Sequence, residues 1–243
     1  MSAGSYSEPV SAIADKNRTT SSRGGRLWRR AWHALVVLAV IPIVLVPVYG
    51  FVRPVSTLMI FEWATGTAVE RSWVAFDDVA QSLVASVLMS EDGKFCAHHG
   101  VDWDEISKVL DRSADRPRGA STIAMQTVKN LFLWPSRSYL RKAVEMPLAL
   151  YADGVLGKRR VMEIYLNVVE WGPGVFGVEA AAQHYFKRPA KDLTASQSAL
   201  LAATLPNPTV RNPTHPTRGL ASLARTIAGR ARASGAYIDC LYP

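Results

Sequence analysis

The feature that most constrains this chain is an uncharged apolar run from residue 31 to residue 52, AWHALVVLAVIPIVLVPVYGFV. At ~1.5 Å per residue, a helix over this run spans roughly the 30 Å hydrocarbon core of a bilayer. Pro42 and Pro47 would end a helix in a soluble protein, but membrane helices tolerate proline. The run exceeds the ~7–15 residues of a signal-peptide core, and no small-residue cleavage site follows it. We therefore predict a transmembrane helix over residues 31–52.

The charges on either side of this run predict its orientation. Residues 1–30 carry more basic than acidic side chains, whereas Arg53 is the only charged residue between the run and Glu62. By the positive-inside rule, residues 1–30 are cytoplasmic and the chain after the run lies on the other side of the membrane. The polar composition of residues 1–30 also predicts a disordered tail. Residues 53–75 are interpreted as a membrane-proximal connector.

The remainder of the chain, residues 76–243, has the apolar spacing and capping patterns of helices, and strand-like alternation is scarce. One amphipathic helix is predicted to end near Gly93. Asp102 is predicted to cap the next helix, and Ser121 or Thr122 the one after it. The later predicted helices cover residues 139–154 and 159–171, the run after a Thr194–Gln197 capping box, and residues 220–233. The predicted fold class is all-α.

Charge and cysteine content restrict the classes of partner. The net charge of +8 suits anionic partners such as lipid headgroups, diphosphates or nucleic acid. Nucleic acid is set aside, because the sequence has neither zinc-ligand spacing nor a basic cluster interleaved with aromatic residues. Cys96 and Cys240 are the only cysteines and are far apart in sequence. A periplasmic location would permit a disulfide, but the sequence alone favours two unpaired thiols.

The block SEDGKFCAHHG, residues 90–100, contains the first candidate for catalysis. It places Glu91 at the predicted end of a helix, where the helix dipole disfavours negative charge. A carboxylate in such a field, beside apolar neighbours, is a better base than a free one. Taken alone, an exposed Glu-Asp pair in a turn is the simpler interpretation.

Two further blocks carry polar residues in a helical context. In RGASTIAMQTVKN, residues 118–130, hydroxyl and amide groups and Lys129 stand near the start of a helix, whose N–H groups favour anionic oxygens. Between residues 137 and 167, Arg141, Lys142 and Glu145 share one helix face. Taken alone, ordinary capping explains the first block and a solvated ion-paired surface explains the second.

Together, these blocks resemble the glycosyltransferase domain of peptidoglycan synthases. The order SED..F..HHG, GASTI..Q..KN, RK..E, KRR.MEIYLN, G.FG.EAAAQHYF and LPNP is the family's, and the resemblance covers roughly residues 53–210. One anchor without a long C-terminal extension resembles the monofunctional biosynthetic transglycosylases rather than the bifunctional penicillin-binding proteins. The resemblance implies a lysozyme-like helical fold for residues 76–243, outside the bacterial inner membrane. It also implies lipid II and the growing lipid-linked glycan as substrates.

The resemblance assigns the catalytic glutamate to Glu91 and a second functional glutamate to Glu145. Glu91 is expected to take the proton from the 4-hydroxyl of lipid II, which attacks the growing chain with inversion. Glu145 is expected to hold a divalent cation, Mg or Mn, near the departing diphosphate. Other cell-wall synthesis or division proteins are expected partners. The substrate-binding residues that the resemblance implies are Asp92, Phe95, His98, Ser121, Thr122, Gln126, Lys129, Asn130, Arg141 and Lys142.

Two residues depart from the family's pattern. Met125 stands where a glutamine is usual, and its presence is expected to remove a hydrogen bond from the cleft. Pro147 follows Glu145 within a predicted helix, where a kink would re-aim that glutamate. Two alternative functions stay open. A lysozyme-like fold with Glu91 could cleave glycan, and these two departures leave room for a degenerate membrane-anchored scaffold. The apolar segment STLMIFEWA, with Phe61 and Trp63, is expected either to enter the membrane interface or to pack on the domain.

Overall fold

The computed structural model describes residues 20–111, 120–134 and 138–242. It divides into two units, one ending at Leu45 and a body that begins at Val46. Most of the described residues are helical, which confirms the predicted all-α class. The part of the predicted cytoplasmic tail before residue 20 lies outside the described residues.

The predicted apolar helix is present, but its ends differ from the prediction. Helix α1 (Thr20–Val48) begins inside the segment interpreted as disordered and ends before Val52. Arg26, Leu27, Arg29 and Arg30, just upstream of the apolar run, favour a helix, whereas nothing in the structure explains why it extends through Gly24 and Gly25. Within it, the span Gly25–Val48 contains an 18-residue stretch of mean hydropathy 2.4 and is long enough to cross a membrane.

The body contains eight helices within the described residues and one small sheet. The helices are α2 (Thr57–Ala64), α3 (Gln81–Glu91), α4 (Trp103–Asp111), α5 (Ile123–Phe132), α6 (Tyr139–Val168), α7 (Val178–Phe186), α8 (Ala195–Thr204) and α9 (Arg218–Arg232). The strands are β1 (Glu70–Arg71), β2 (Glu170–Gly172) and β3 (Val175–Phe176), in the order β1-β3-β2. β3 runs parallel to β1 and antiparallel to β2. The helix expected over residues 159–171 therefore ends at Val168 and gives way to a strand.

Helix α3 lies in the core of the body rather than at its surface. Its residues from Leu83 to Leu88 are all buried, including Ser86, so the predicted amphipathic face is wrong. The helix packs against α8 and α9, while α5 packs against α6. Apolar neighbours surround α3. Glu91, the last residue of this helix, therefore lies at the edge of the core and not in a solvated turn.

The predicted caps fix where α4, α5 and α8 begin. Asp102 Oδ1 accepts a hydrogen bond from the Glu105 N–H at 3.0 Å, and Thr122 Oγ1 accepts one from the Met125 N–H at 3.1 Å. Thr194 and Gln197 form the complete reciprocal capping box at α8. These interactions confirm that the capping signals in the sequence define helix starts.

Helix α6 is broken at Gly157 and not at Pro147. Gly157 has φ 72° and ψ 161°, while Pro147 lies inside the first arm of the helix. Glycine adopts this conformation without the steric cost that a Cβ imposes. The helix therefore continues through Pro147, and the two predicted helices are the two arms of α6.

A disulfide joins Cys96 to Cys240, with the two Cα atoms 5.6 Å apart. The expectation of two unpaired thiols is wrong. The bond ties the loop that follows α3 to the C-terminal segment, across a sequence separation of 144 residues. Only the tertiary fold brings these segments together, which is why the sequence did not reveal the pair.

Candidate active site

Glu91 is the last residue of α3, and its partly exposed carboxylate has two hydrogen-bond donors. Gln126 Nε2 donates to Oε2 at 3.0 Å, and Ser90 Oγ donates to Oε1 at 3.3 Å. Burial raises the pKa of Glu91, although these hydrogen bonds and the positive charges of Lys129 and Arg211 act in the opposite direction. The carboxylate is therefore a stronger base than a free glutamate.

The neighbouring carboxylate, that of Asp92, is buried and joins three parts of the structure. Its Oδ2 accepts a hydrogen bond from the Ile123 N–H at 2.9 Å, at the start of α5. Its Oδ1 lies 2.9 Å from His98 Nε2. Asp92 and His98 therefore fix the end of α3, the following loop and the start of α5 relative to one another. Their expected contact with substrate stays a prediction.

The loop after α3 is pressed against α5 and α6. Thr122 Oγ1 donates to the Gly100 carbonyl at 2.6 Å. A Cβ at Gly100, where φ is +79°, would come within 2.4 Å of the Ala149 carbonyl oxygen. Phe95 is 0% exposed, and the Lys158 ammonium lies 4.6 Å from its ring centroid. The side chain of Phe95 thus anchors this loop in the core.

A second group of charged residues lies on the first arm of α6. Glu145 is fully buried, with Oε1 2.7 Å from Arg141 Nη1 and Oε2 2.5 Å from Lys142 Nζ. Lys142 Nζ also donates to Ser121 Oγ at 2.6 Å, which links α6 to the segment before α5. Glu145 therefore holds two cationic side chains in place.

Lys129 interacts electrostatically with both carboxylates, those of Glu91 and Glu145. Burial lowers its pKa, as does the positive charge of Arg141, while Glu145 and Glu91 raise it. The structure thus brings together the predicted base and the predicted cations on α3, α5 and α6. A cluster of this kind, next to a partly exposed carboxylate, can stabilise a developing anion.

The residues around Glu145 do not fit a divalent cation. Each of its carboxylate oxygens already contacts a cationic side chain. Across the described ranges, no three His, Cys, Asp or Glu side chains form a group that could hold a metal ion. Magnesium is commonly held by carboxylates together with water and substrate phosphates, and a carboxylate paired with two cations is a poor ligand. The cation stays a prediction from the resemblance, and no step proposed below passes through it.

Glu91 and Gln126, which are hydrogen-bonded to each other, line two different cavities of about 280 Å³ each. The first is lined by Glu91, Ser121 and Thr122 together with the acidic residues Asp102 and Glu105. The second is lined by residues of α2 and α5 and of the loop after α8, including Gln126, Lys129, Asn130 and Pro206. Larger cavities of about 500 and 520 Å³ lie beside α9 and contain none of the predicted site residues.

Sequence reasoning missed Tyr165 as a member of the site. Its hydroxyl donates to Gln126 Oε1 at 3.3 Å, so the phenol, the amide and the Glu91 carboxylate form one chain of hydrogen bonds. The residue stands in the MEIYLN block, but nothing in that block indicates which side chain faces α5. Arg211, whose charge acts on Glu91, lies just beyond the LPNP block and was also missed.

The structure shows that neither departure from the family's pattern, Met125 or Pro147, disturbs the site. The Met125 side chain is 2% exposed and packs in the core, so it cannot have replaced an amide that faces the cleft. Its neighbour Gln126 contacts Glu91 instead, because successive helix residues point about 100° apart. Pro147 leaves the ion pairs of Glu145 in place. Both motives for a degenerate scaffold are thereby removed.

Comparison with known proteins identifies the family. The sequence profile of the transglycosylase family matches residues 58–232. The biosynthetic peptidoglycan transglycosylase of Brucella suis biovar 1 (strain 1330) is 59% identical over 215 residues, which cover 87% of this chain and 96% of that protein. The protein of the same name from Mesorhizobium japonicum is 54% identical over 236 residues, covering 94% and 100%. This chain therefore belongs to the family of the biosynthetic peptidoglycan transglycosylases.

Proposed function

We propose that this enzyme polymerises lipid II into glycan strands, with Glu91 as the general base. Membership of the transglycosylase family supplies the reaction class. The observation that carries the finer proposal is the position of Glu91, a carboxylate of raised pKa that lines one cavity and accepts a hydrogen bond from Gln126, which lines the other. Each cavity would then receive one of the two sugar substrates.

In the proposed reaction, the 4-hydroxyl of lipid II attacks the anomeric carbon of the growing, lipid-linked chain. Glu91 takes the hydroxyl proton as the new carbon–oxygen bond forms. The bond from the anomeric carbon to the diphosphate breaks on the opposite face, and its electron pair leaves with the lipid diphosphate. Configuration at the anomeric carbon inverts. Base catalysis of this kind typically contributes ~10²–10⁴-fold.

The cationic side chains are proposed to stabilise the departing diphosphate. A diphosphate is already a good leaving group, so positive charge serves it better than a general acid. Lys129 lines the second cavity, and Arg141 and Lys142 line another of about 280 Å³. Glu145 contacts both α6 cations. It is therefore proposed to position them rather than to hold a metal.

The membrane arrangement is a further part of the proposal. We infer that α1 anchors the chain in the inner membrane and that the body lies in the periplasm, an oxidising compartment in which the Cys96–Cys240 disulfide persists. Helix α2 exposes three large apolar side chains, those of Ile60, Phe61 and Trp63. These would enter the bilayer interface close to the lipid tails of both substrates.

The test compares the full-length protein with its Glu91→Gln variant on two substrates, labelled lipid II and purified sacculi. We expect polymer from lipid II with the wild type alone, and no soluble fragments from sacculi with either protein. Glu70→Gln is the matched control, because Glu70 is exposed and its carboxylate is paired with His184, which is not a site residue. Release of sacculus fragments without any polymer would instead identify a glycan-cleaving enzyme.

A further inference from the structure

We propose that Tyr165 is a positioning residue, which fixes the orientation of the Gln126 amide and so keeps the Glu91 carboxylate ready to accept a proton. The inference rests on the proposed role of Glu91 as the base. It assigns a function to a fully buried side chain that lines neither of the two cavities.

The geometry links three helices by their side chains. The Tyr165 hydroxyl, on the second arm of α6, donates to Gln126 Oε1 at 3.3 Å. On α5, the amide of Gln126 donates through Nε2 to Glu91 Oε2, at the end of α3, at 3.0 Å. The Tyr165 ring is 0% exposed, as are Ile164 and Leu166 on either side of it. Packing therefore holds the phenol oxygen in place. The side-chain amide of Gln126 beside it has two possible orientations, in which its oxygen and its nitrogen exchange places.

Those two orientations of the amide differ in how well they satisfy the site. In the observed one, the amide NH₂ faces the carboxylate of Glu91 and the amide carbonyl accepts from the phenol. In the reverse orientation, the Gln126 carbonyl would face the Glu91 carboxylate. Both groups are hydrogen-bond acceptors, so no hydrogen bond could form between them. The phenol proton would then lose the one acceptor recorded for it among the described residues. A buried donor without a partner is costly, so the Tyr165 hydroxyl favours the observed orientation.

The phenol remains a donor at neutral and mildly alkaline pH. Burial raises the pKa of Tyr165 well above its ordinary value, and the negative charges of Glu91 and Asp92 raise it further. Deprotonation of Tyr165 therefore cannot reverse the amide at neutral or mildly alkaline pH.

The amide orientation in turn affects the protonation of Glu91. Burial favours its neutral form, while Gln126, Ser90, Lys129 and Arg211 favour its charged form. Losing the Gln126 donor removes the largest of these opposing effects, so the pKa of Glu91 rises further. A base must be deprotonated to act, so activity would be lost at higher pH than in the wild type. A purely structural tyrosine would instead lower the rate equally at every pH.

The first measurement is the pH profile of kcat/KM for lipid II polymerisation by the full-length protein. Tyr165→Phe should move the acidic limb to higher pH and lower kcat/KM there about fivefold, the usual worth of one hydrogen bond, with little change at the plateau. Gln126→Leu should move the limb in the same direction. Adding Tyr165→Phe to Gln126→Leu should move it no further. Tyr242→Phe, which removes a phenol hydroxyl in the C-terminal segment beside Phe76, should leave the profile unchanged.

The second measurement is independent of turnover. A ¹³C NMR titration of the Glu91 carboxyl, assigned by its loss in Glu91→Gln, reports the protonation of that group directly. We expect Tyr165→Phe and Gln126→Leu to raise its midpoint and Tyr242→Phe to leave it in place. If Tyr165→Phe leaves the midpoint in place, the positioning role of Tyr165 is overturned, even if Glu91→Gln is inactive. If Glu91→Gln polymerises at the wild-type rate, the base assignment falls while a moved midpoint still supports the Tyr165–Gln126–Glu91 linkage. Should Tyr165→Phe not fold, an unmoved midpoint in Gln126→Leu alone overturns it.

Discussion

Adjacent residues at the end of α3 have separate tasks because their surroundings differ. Asp92 is buried, and its oxygens contact His98 and the Ile123 N–H, whereas Glu91 is partly exposed and lines the first cavity. The sequence showed that both carboxylates belong to one motif. It did not show which one faces the core, because that depends on where α5 begins in space.

Removing the buried carboxylate should cost stability. Asp92→Ala leaves the Ile123 N–H and His98 without their partner, so we expect the free energy of unfolding to fall by ~1–3 kcal/mol. Denaturant unfolding of the full-length protein measures this. Asp104→Ala, whose side chain is 83% exposed, should change it by less than ~0.5 kcal/mol. Equal effects of the two variants would contradict the role given to Asp92.

The charge of Lys129 predicts the alkaline side of the pH profile. Burial lowers the pKa of Lys129, so its positive charge is lost at lower pH than that of an ordinary lysine. If that charge stabilises the departing diphosphate, kcat/KM should decline on the alkaline side. Lys129→Arg should carry this decline to higher pH, because a guanidinium stays charged. An alkaline limb that stays in place in Lys129→Arg would remove Lys129 from this role.

At the scale of elements, local signals predicted helix starts better than helix ends. The caps at Asp102, Thr122 and Thr194 are local hydrogen bonds between a side chain and nearby backbone, and each forms as predicted. The small sheet was missed, because strands of two or three residues are too short to show alternation. The break at Gly157 appears in the sequence only as a gap between two predicted helices.

Gly157 and Gly154 offer a matched test of the break in α6. A Cβ added at either position would meet no other atom within 4 Å, so space is not the issue at either glycine. At Gly157, alanine would be strained at φ +72°, and we expect a loss of ~1–3 kcal/mol. At Gly154, inside the helix, alanine should stabilise by ~0.5–1 kcal/mol. Opposite signs in denaturant unfolding are expected, and a stabilised Gly157→Ala would contradict the observed break.

At the scale of the whole molecule, the motifs predicted the class of enzyme, the helical body and the apolar N-terminal helix. They did not predict the closure of the body by its C-terminal segment. Cys96 stands in a catalytic block and Cys240 lies far beyond the LPNP block. Their pairing follows from the packing of α9 against α3, which no spacing in the sequence encodes.

Reduction of the disulfide should therefore loosen the body. We expect a reductant, or Cys240→Ser, to lower the free energy of unfolding by ~2–5 kcal/mol and to lower the Tm. The double variant Cys96→Ser, Cys240→Ser is the control, since a reductant should leave its Tm unchanged. A wild-type Tm that does not respond to complete reduction, verified by thiol counting, would contradict a stabilising role.

The most direct test of the whole account is the pH dependence of lipid II polymerisation by full-length Glu91→Gln. If Glu91 is the base, the plateau rate falls by ~10²–10⁴-fold, and the residual rate no longer declines on the acidic side. If the variant keeps the wild-type rate, or keeps an unchanged acidic limb, another group accepts the proton and the account is wrong.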